Sequence, residues 1–93
     1  MYYDLDCRYD SRKSFYGKAK VKESRYNGLC LLELYSYGTL VAKIEITTNG
    51  KKTYIYMGNY SQTTTRHQKE FFKQEGLDDN DIKELFKRRV LII

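Results

Sequence analysis

The sequence has no tryptophan, no proline, one histidine and two cysteines in 93 residues. A single histidine, His67, cannot build a metal site or a catalytic centre alone; it needs further ligands, or a nucleophile or acid beside it. Cys7 and Cys30 are too few and too far apart to read as a metal motif. In a reducing compartment they are free thiols, with Cys30 buried. The missing proline excludes little, because glycine and asparagine also make short turns. No apolar run approaches the roughly 20 residues that cross a bilayer. The start, Met1-Tyr2-Tyr3-Asp4-Leu5-Asp6, lacks the basic residues and apolar stretch of a secretory signal, so the expected setting is the cytoplasm, away from membranes. There is no glycine-rich phosphate loop, paired metal-ligand motif or nucleophile elbow. The expectation is a protein that is not an enzyme and carries no cofactor and no metal.

What is present is tyrosine and uneven charge. Ten tyrosines suit the boundary between core and surface, since each ring fills space while its hydroxyl stays wet. The formal excess of +5 lies entirely within residues 8–25, where Arg8, Arg12, Lys13, Lys18, Lys20, Lys22 and Arg25 face only Asp10 and Glu23. Such a surface suits a polyanion or an acidic protein patch. The length makes one domain, 1–93, with room for one modest core.

From Lys18 to Glu23 charge alternates with small apolar groups, as in a half-buried strand. Asn27-Gly28 then supplies a hairpin turn. Leu29 to Ser36 makes the next strand, Tyr37-Gly38 the next turn, and Thr39 to Thr47 the third strand. Asn49-Gly50 turns the chain again, into a fourth strand from Thr53 to Met57. These alternating runs, joined by glycine-containing turns, predict a four-stranded antiparallel meander. A helix follows from an N-cap at Ser61 to about Glu75, closed by Gly76. A second begins at Asp78-Asp79-Asn80 and ends near Arg89, with Ile82, Leu85, Phe86 and Val90 along one face. The fold class is α+β, with both C-terminal helices on one face of the sheet. Tyr2 to Cys7 reads as a short edge strand, and Asp10 or Ser11 to Tyr16 as one helical turn. The apolar tail, Val90-Leu91-Ile92-Ile93, either tucks into the core, pairs as a strand or joins two subunits as a homodimer.

Strand parity then divides the sheet. The expected core face is Ala19, Val21, Cys30, Leu32, Leu34, Leu40, Ala42, Ile44, Ile55 and Met57. The opposite face carries Lys18, Lys20, Lys22, Glu33, Tyr35, Lys43, Glu45, Tyr54 and Tyr56. Lysines that track phosphates and rings that stack on bases would make this a single-strand binding face. A merely solvated sheet has the same composition, and lysine also blunts an exposed edge. At the start of the first helix, Tyr60-Ser61-Gln62-Thr63-Thr64-Thr65-Arg66-His67 offers free amides, hydroxyls and Arg66 to an anion; its Ser and Thr also serve as caps. Arg8, Arg12 and Lys13 lie in the N-terminal loop, where arginine can grip phosphate or carboxylate in bidentate fashion. His67 faces Phe71 one turn on, which points to packing beneath the sheet. The candidate contact residues are thus Arg8, Arg12, Lys13, Lys18, Lys20, Lys22, Tyr54, Tyr56 and Arg66.

Two stretches carry a resemblance. One is Asp10-Ser11-Arg12-Lys13-Ser14-Phe15-Tyr16-Gly17-Lys18-Ala19-Lys20-Val21. The other runs from Leu34-Tyr35-Ser36-Tyr37-Gly38 to Tyr60-Ser61-Gln62-Thr63-Thr64-Thr65-Arg66-His67, then Glu70-Phe71 and Gln74 to Gly76. Together they resemble a group of small uncharacterised proteins from phages and mobile elements of Firmicutes-like bacteria. That resemblance implies a bacterial host cell and a non-catalytic binding protein that inhibits or modulates a host nucleoprotein defence complex, in the manner of anti-CRISPR proteins. The partner would be a host protein or a protein–RNA complex. The alternative is a direct nucleic-acid-binding accessory protein that contacts RNA or DNA; a small nuclease or hydrolase is a more remote reading.

Overall fold

Two of the expected hairpin turns lie at positive φ. Asn27 and Gly28 lie at φ 50 and 75, Tyr37 and Gly38 at φ 51 and 82, the geometry whose twist matches that of the flanking strands. The computed structural model describes residues 1–93. Its strands are β1 (Tyr2–Asp4), β2 (Ala19–Tyr26), β3 (Leu29–Ser36), β4 (Thr39–Thr47), β5 (Lys52–Tyr56) and β6 (Val90–Ile92); its helices are α1 (Gln62–Gln74) and α2 (Asp79–Arg88). The α+β class holds, but the sheet has six antiparallel strands where four were expected. Spatial order follows chain order, β1 to β6. The N-terminal edge strand is present as β1, whereas residues 10–16 run through bends into a turn at Tyr16-Gly17 and form no helix. The tail takes the strand option and pairs with β5, Leu91 opposite Tyr54.

Both helices begin and end as their sequences dictate. The Ser61 hydroxyl accepts from the Thr64 amide. Gly76, at φ 102, closes α1 with its own amide on the Lys73 carbonyl and the Leu77 amide on that of Phe72. Asp78 and Asp81 form a reciprocal capping box at the start of α2. The helices cover one face of the sheet. Ala19, Val21, Leu32, Leu34, Val41, Ala42 and Ile44 from the sheet join Phe71, Phe72, Ile82 and Leu85 in one core. Val41 and Ala42 are adjacent and both buried because β4 carries an extra residue there: Leu34 pairs with Ala42, and Tyr35 with Leu40.

Parity in β5 is the reverse of the expectation. Tyr54 pairs with Ile44 and Tyr56 with Ala42, so both tyrosines point beneath the helices and are 2% and 7% exposed. Their reach is the physical reason. The Tyr54 ring meets Phe72 edge-on and its hydroxyl donates to the Glu75 carbonyl at 2.7 Å, while Tyr56 stacks on Phe86 at 4.0 Å. An aliphatic side chain in their place would leave a gap below α1 and α2. Ile55 consequently turns to the open face beside Lys43, and the extra residue in β4 turns Leu40 there beside Tyr35. Cys30 is only half-buried, and both cysteines are free. No helix is long and apolar enough to cross a membrane.

Candidate functional site

The open face of the sheet is not a cationic surface. Register places Lys22, Glu33 and Lys43 side by side, and Lys20 beside Asp4. The Lys20 amine is 2.6 Å from the Asp4 carboxylate. With Glu45 also on this face, its three lysines meet three acids, and the chain's net excess of +5 lies elsewhere. Lys20 and Lys22 therefore belong to a charge-balanced lattice, and Tyr54 and Tyr56 belong to the core.

The other candidate residues lie where the loop between β1 and β2 crosses α1. Arg12, Lys18 and Arg66 line one cleft of about 190 Å³, with Ser14, Tyr16, Tyr37 and Thr63 around it. Arg8 and Lys13 are exposed in the same loop, and Arg8 pairs with Asp6 at 3.3 Å. Arg12, Lys13 and Lys18 have no ion-pair partner, and Arg66 has only Asp10, at 3.8 Å. Three cations unpaired within the chain thus lie near one weakly paired arginine.

The loop is held by a residue that sequence reading missed. Glu70, 2% exposed, accepts from three successive backbone amides: Arg8 at 3.1 Å, Tyr9 at 2.9 Å and Asp10 at 2.8 Å. The Gln74 amide adds a fourth bond at 2.6 Å and also donates to the Asp6 carbonyl at 2.9 Å. Successive amides pointing at one anion form a nest, and charge-assisted bonds of this kind are the strong ones. A loop without regular structure is thereby fixed on a rigid helix, and Arg12 with it. The signal in the sequence was the run of polar residues Thr64, His67, Gln68 and Glu70 on the face that also carries Phe71. A helix that buries so many polar groups must find partners for them outside itself.

His67 forms the floor of the cleft. It is 1% exposed, and Phe15 packs edge-on against it at 4.5 Å, with Tyr37 at 5.8 Å. Ser36 Oγ lies 2.8 Å from both Thr64 Oγ1 and His67 Nδ1. Only one direction satisfies both hydroxyl hydrogens: Thr64 donates to Ser36, and Ser36 donates to Nδ1. The imidazole proton then sits on Nε2, which makes no hydrogen bond within the protein.

Burial pushes the His67 imidazole below its usual value, and the opposing pull of Asp10 is smaller. A depressed pKa means that the unfolded chain binds this proton more readily than the folded one, so stability falls as pH drops below about 6.5. Urea unfolding followed across pH 5–8 is expected to show this acid slope, and His67→Gln to abolish it. Glu75, pushed up by burial, works in the opposite direction at lower pH in both proteins.

The two resembling stretches meet here. Residues 10–18 form the loop, and Thr64 to Gln74 form the helix face that holds it. A family of unknown function (DUF8033) matches the chain over residues 3–88. No curated protein and no solved structure matches it.

Proposed function

We propose that this chain, which belongs to that family of unknown function, is a non-catalytic binding protein that docks on a host nucleoprotein complex and inhibits or modulates it. The observation that carries this reading is the convergence of Arg12, Lys18 and Arg66 on one cleft, with no carboxylate close enough to neutralise the first two. A fixed cationic end on a small rigid domain suits an RNA-bearing or acidic partner, and it steers the encounter as well as the final fit. The docking surface is Arg12, Lys13, Lys18 and Arg66, with Arg8 at its margin. The resemblance to phage and mobile-element proteins supports a target in host defence, in the manner of an anti-CRISPR protein.

The arrangement around His67 supports a non-catalytic role. Its only hydroxyl partner, Ser36, is 2% exposed and spends its hydrogen on Nδ1, so no substrate carbonyl or phosphorus can approach that oxygen. The tail adds a second contact to the proposal. Val90, Ile92 and Ile93 are exposed along the last strand, and a second copy could pair against that edge.

The test is retention of partners from host lysate by the tagged protein, with protein and nucleic acid both analysed. Wild type and Lys20→Glu/Lys22→Glu are expected to retain the same complex, and Arg12→Glu/Lys13→Glu/Arg66→Glu to lose it. The protein-directed part of the contact should survive moderate salt, because pure phosphate binding weakens by orders of magnitude over that range. Recovery of bulk nucleic acid alone, or equal retention by all three proteins, overturns the reading.

A further inference from the structure

We propose that the cleft between the N-terminal loop and the first turn of α1 seats a backbone phosphate of single-stranded nucleic acid, with flanking bases stacked on Tyr16 and Tyr37. This rests on the reading that the basic end is the docking surface, and it names what that end grips.

The cleft is built for an anion from three separate parts of the chain. Arg12 and Lys18 come from the two ends of the loop turn, and Arg66 from the helix. The positive end of α1 adds to them through its first turn, where Thr63 lines the cleft. A helix start with nearby cations is common and by itself says little. His67 supplies the independent sign. It is a polar side chain 1% exposed, it lines the same cleft, and its Nε2–H has no acceptor in the protein. Among side-chain atoms shut off from solvent only Gln68 Oε1 lacks a partner, so Nε2 reaches water at the cleft. A phosphate oxygen in the cleft would satisfy it.

Size separates a phosphate from a larger ligand. Pockets that enclose a drug-sized molecule run from roughly 300 to 1,000 Å³. At about 190 Å³ this cleft holds a phosphate group and leaves the rest of a nucleotide outside. What stands outside is aromatic. Tyr16 and Tyr37 are 78% and 58% exposed, so neither ring is there to fill the core. Both also sit at positive φ, 52 and 51, where a bulky residue is strained and asparagine or glycine is at ease. Exposed rings beside a cationic groove are the platforms on which unpaired bases stack; a duplex presents no free base faces to them.

The protein has one histidine, so a single imidazole signal reports the cleft by NMR. The experiment titrates a uridine hexanucleotide, a deoxythymidine hexanucleotide and inorganic phosphate into the full chain at low salt. Both hexanucleotides are expected to move the Nε2 signal at concentrations at least about a hundredfold below inorganic phosphate, since stacking adds to the phosphate contact. Arg12→Ala, Lys18→Ala and Tyr37→Asn should each weaken hexanucleotide binding by about tenfold, and Lys22→Ala should leave it unchanged. Lys18 makes no ion pair, so its loss does not threaten the fold. The affinity should fall with salt at a log–log slope of about −0.7, for the one neutralised phosphate. An unmoved imidazole at millimolar hexanucleotide, equal potency of inorganic phosphate, or full binding by the Lys18 and Tyr37 variants overturns the proposal. If the host complex is still captured after its RNA is digested while hexanucleotides fail to bind, this inference fails and the docking reading stands. If hexanucleotides bind but charge reversal leaves capture intact, the phosphate site stands and the docking reading fails.

Discussion

Replacing Glu70 with alanine is expected to lower stability by about 3 kcal/mol, with a fall in melting temperature of more than about 10 °C. The carboxylate is the only acceptor for the Arg8, Tyr9 and Asp10 amides. Hydrogen bonds to a charged group are worth about 1.5–3 kcal/mol each, but the loop can swing out and rehydrate its amides, which caps the total. Glu70→Gln is expected to lose about 2 kcal/mol, because its amide nitrogen would face the donors of Arg8 and Gln74. Urea unfolding measures the loss, and hydrogen exchange at those three amides locates it. Stability within about 0.5 kcal/mol of wild type, with unchanged exchange, would show that the loop holds without its carboxylate. The same variant should bind more weakly through Arg12 although Glu70 touches no ligand, since it positions the loop that carries the arginine.

Tyr54→Ala is expected to cost about 3–5 kcal/mol, the range for removing a buried aromatic ring. Tyr35, on the open face beside Lys20, is the control; its loss should cost less than about 1 kcal/mol. Tyr54→Phe isolates the hydroxyl that donates to the Glu75 carbonyl and should cost about 1 kcal/mol. Equal effects at the two positions would put Tyr54 back on the surface, and with it the single-strand face that the sequence pattern suggested. Burial raises the pKa of Tyr54 and of Tyr56, so both phenols should resist ionisation in alkali until the fold opens.

The hairpins were legible because their turns have a local cause. Asn27-Gly28 and Tyr37-Gly38 bend the chain whatever lies beyond them, and β3 and β4 match the expected bounds of Leu29–Ser36 and Thr39–Thr47. Ser61, Gly76 and the acids before α2 marked the helix ends for the same reason. Parity in β5 was not legible. Tyr54, Ile55, Tyr56 and Met57 are all hydrophobic enough for either side, and the choice is made by helices 20 residues or so further on. The last strand was one of three open fates for the tail, since the free edge of β5 that captures it exists only in the folded sheet. Of the candidate contacts, the cations of the loop and of α1 were read as one surface with Lys20, Lys22, Tyr54 and Tyr56, and the fold separates the two tyrosines from it by burying them. What joins the loop to α1 is Glu70, acting across about 60 residues of chain on backbone amides that no side-chain pattern reports.

The strictly sequential order of the sheet has a consequence for how the molecule comes into being. Each hairpin can zip as soon as its second arm exists, so most of the platform can be built from the front as the chain lengthens. The cation-bearing loop follows a different clock. It is made early but stays slack until the glutamate that grasps it has emerged and coiled into its helix. The gripping end of the protein is thus competent only when nearly the whole polypeptide is present, and a prematurely ended chain would display the charges without the grip.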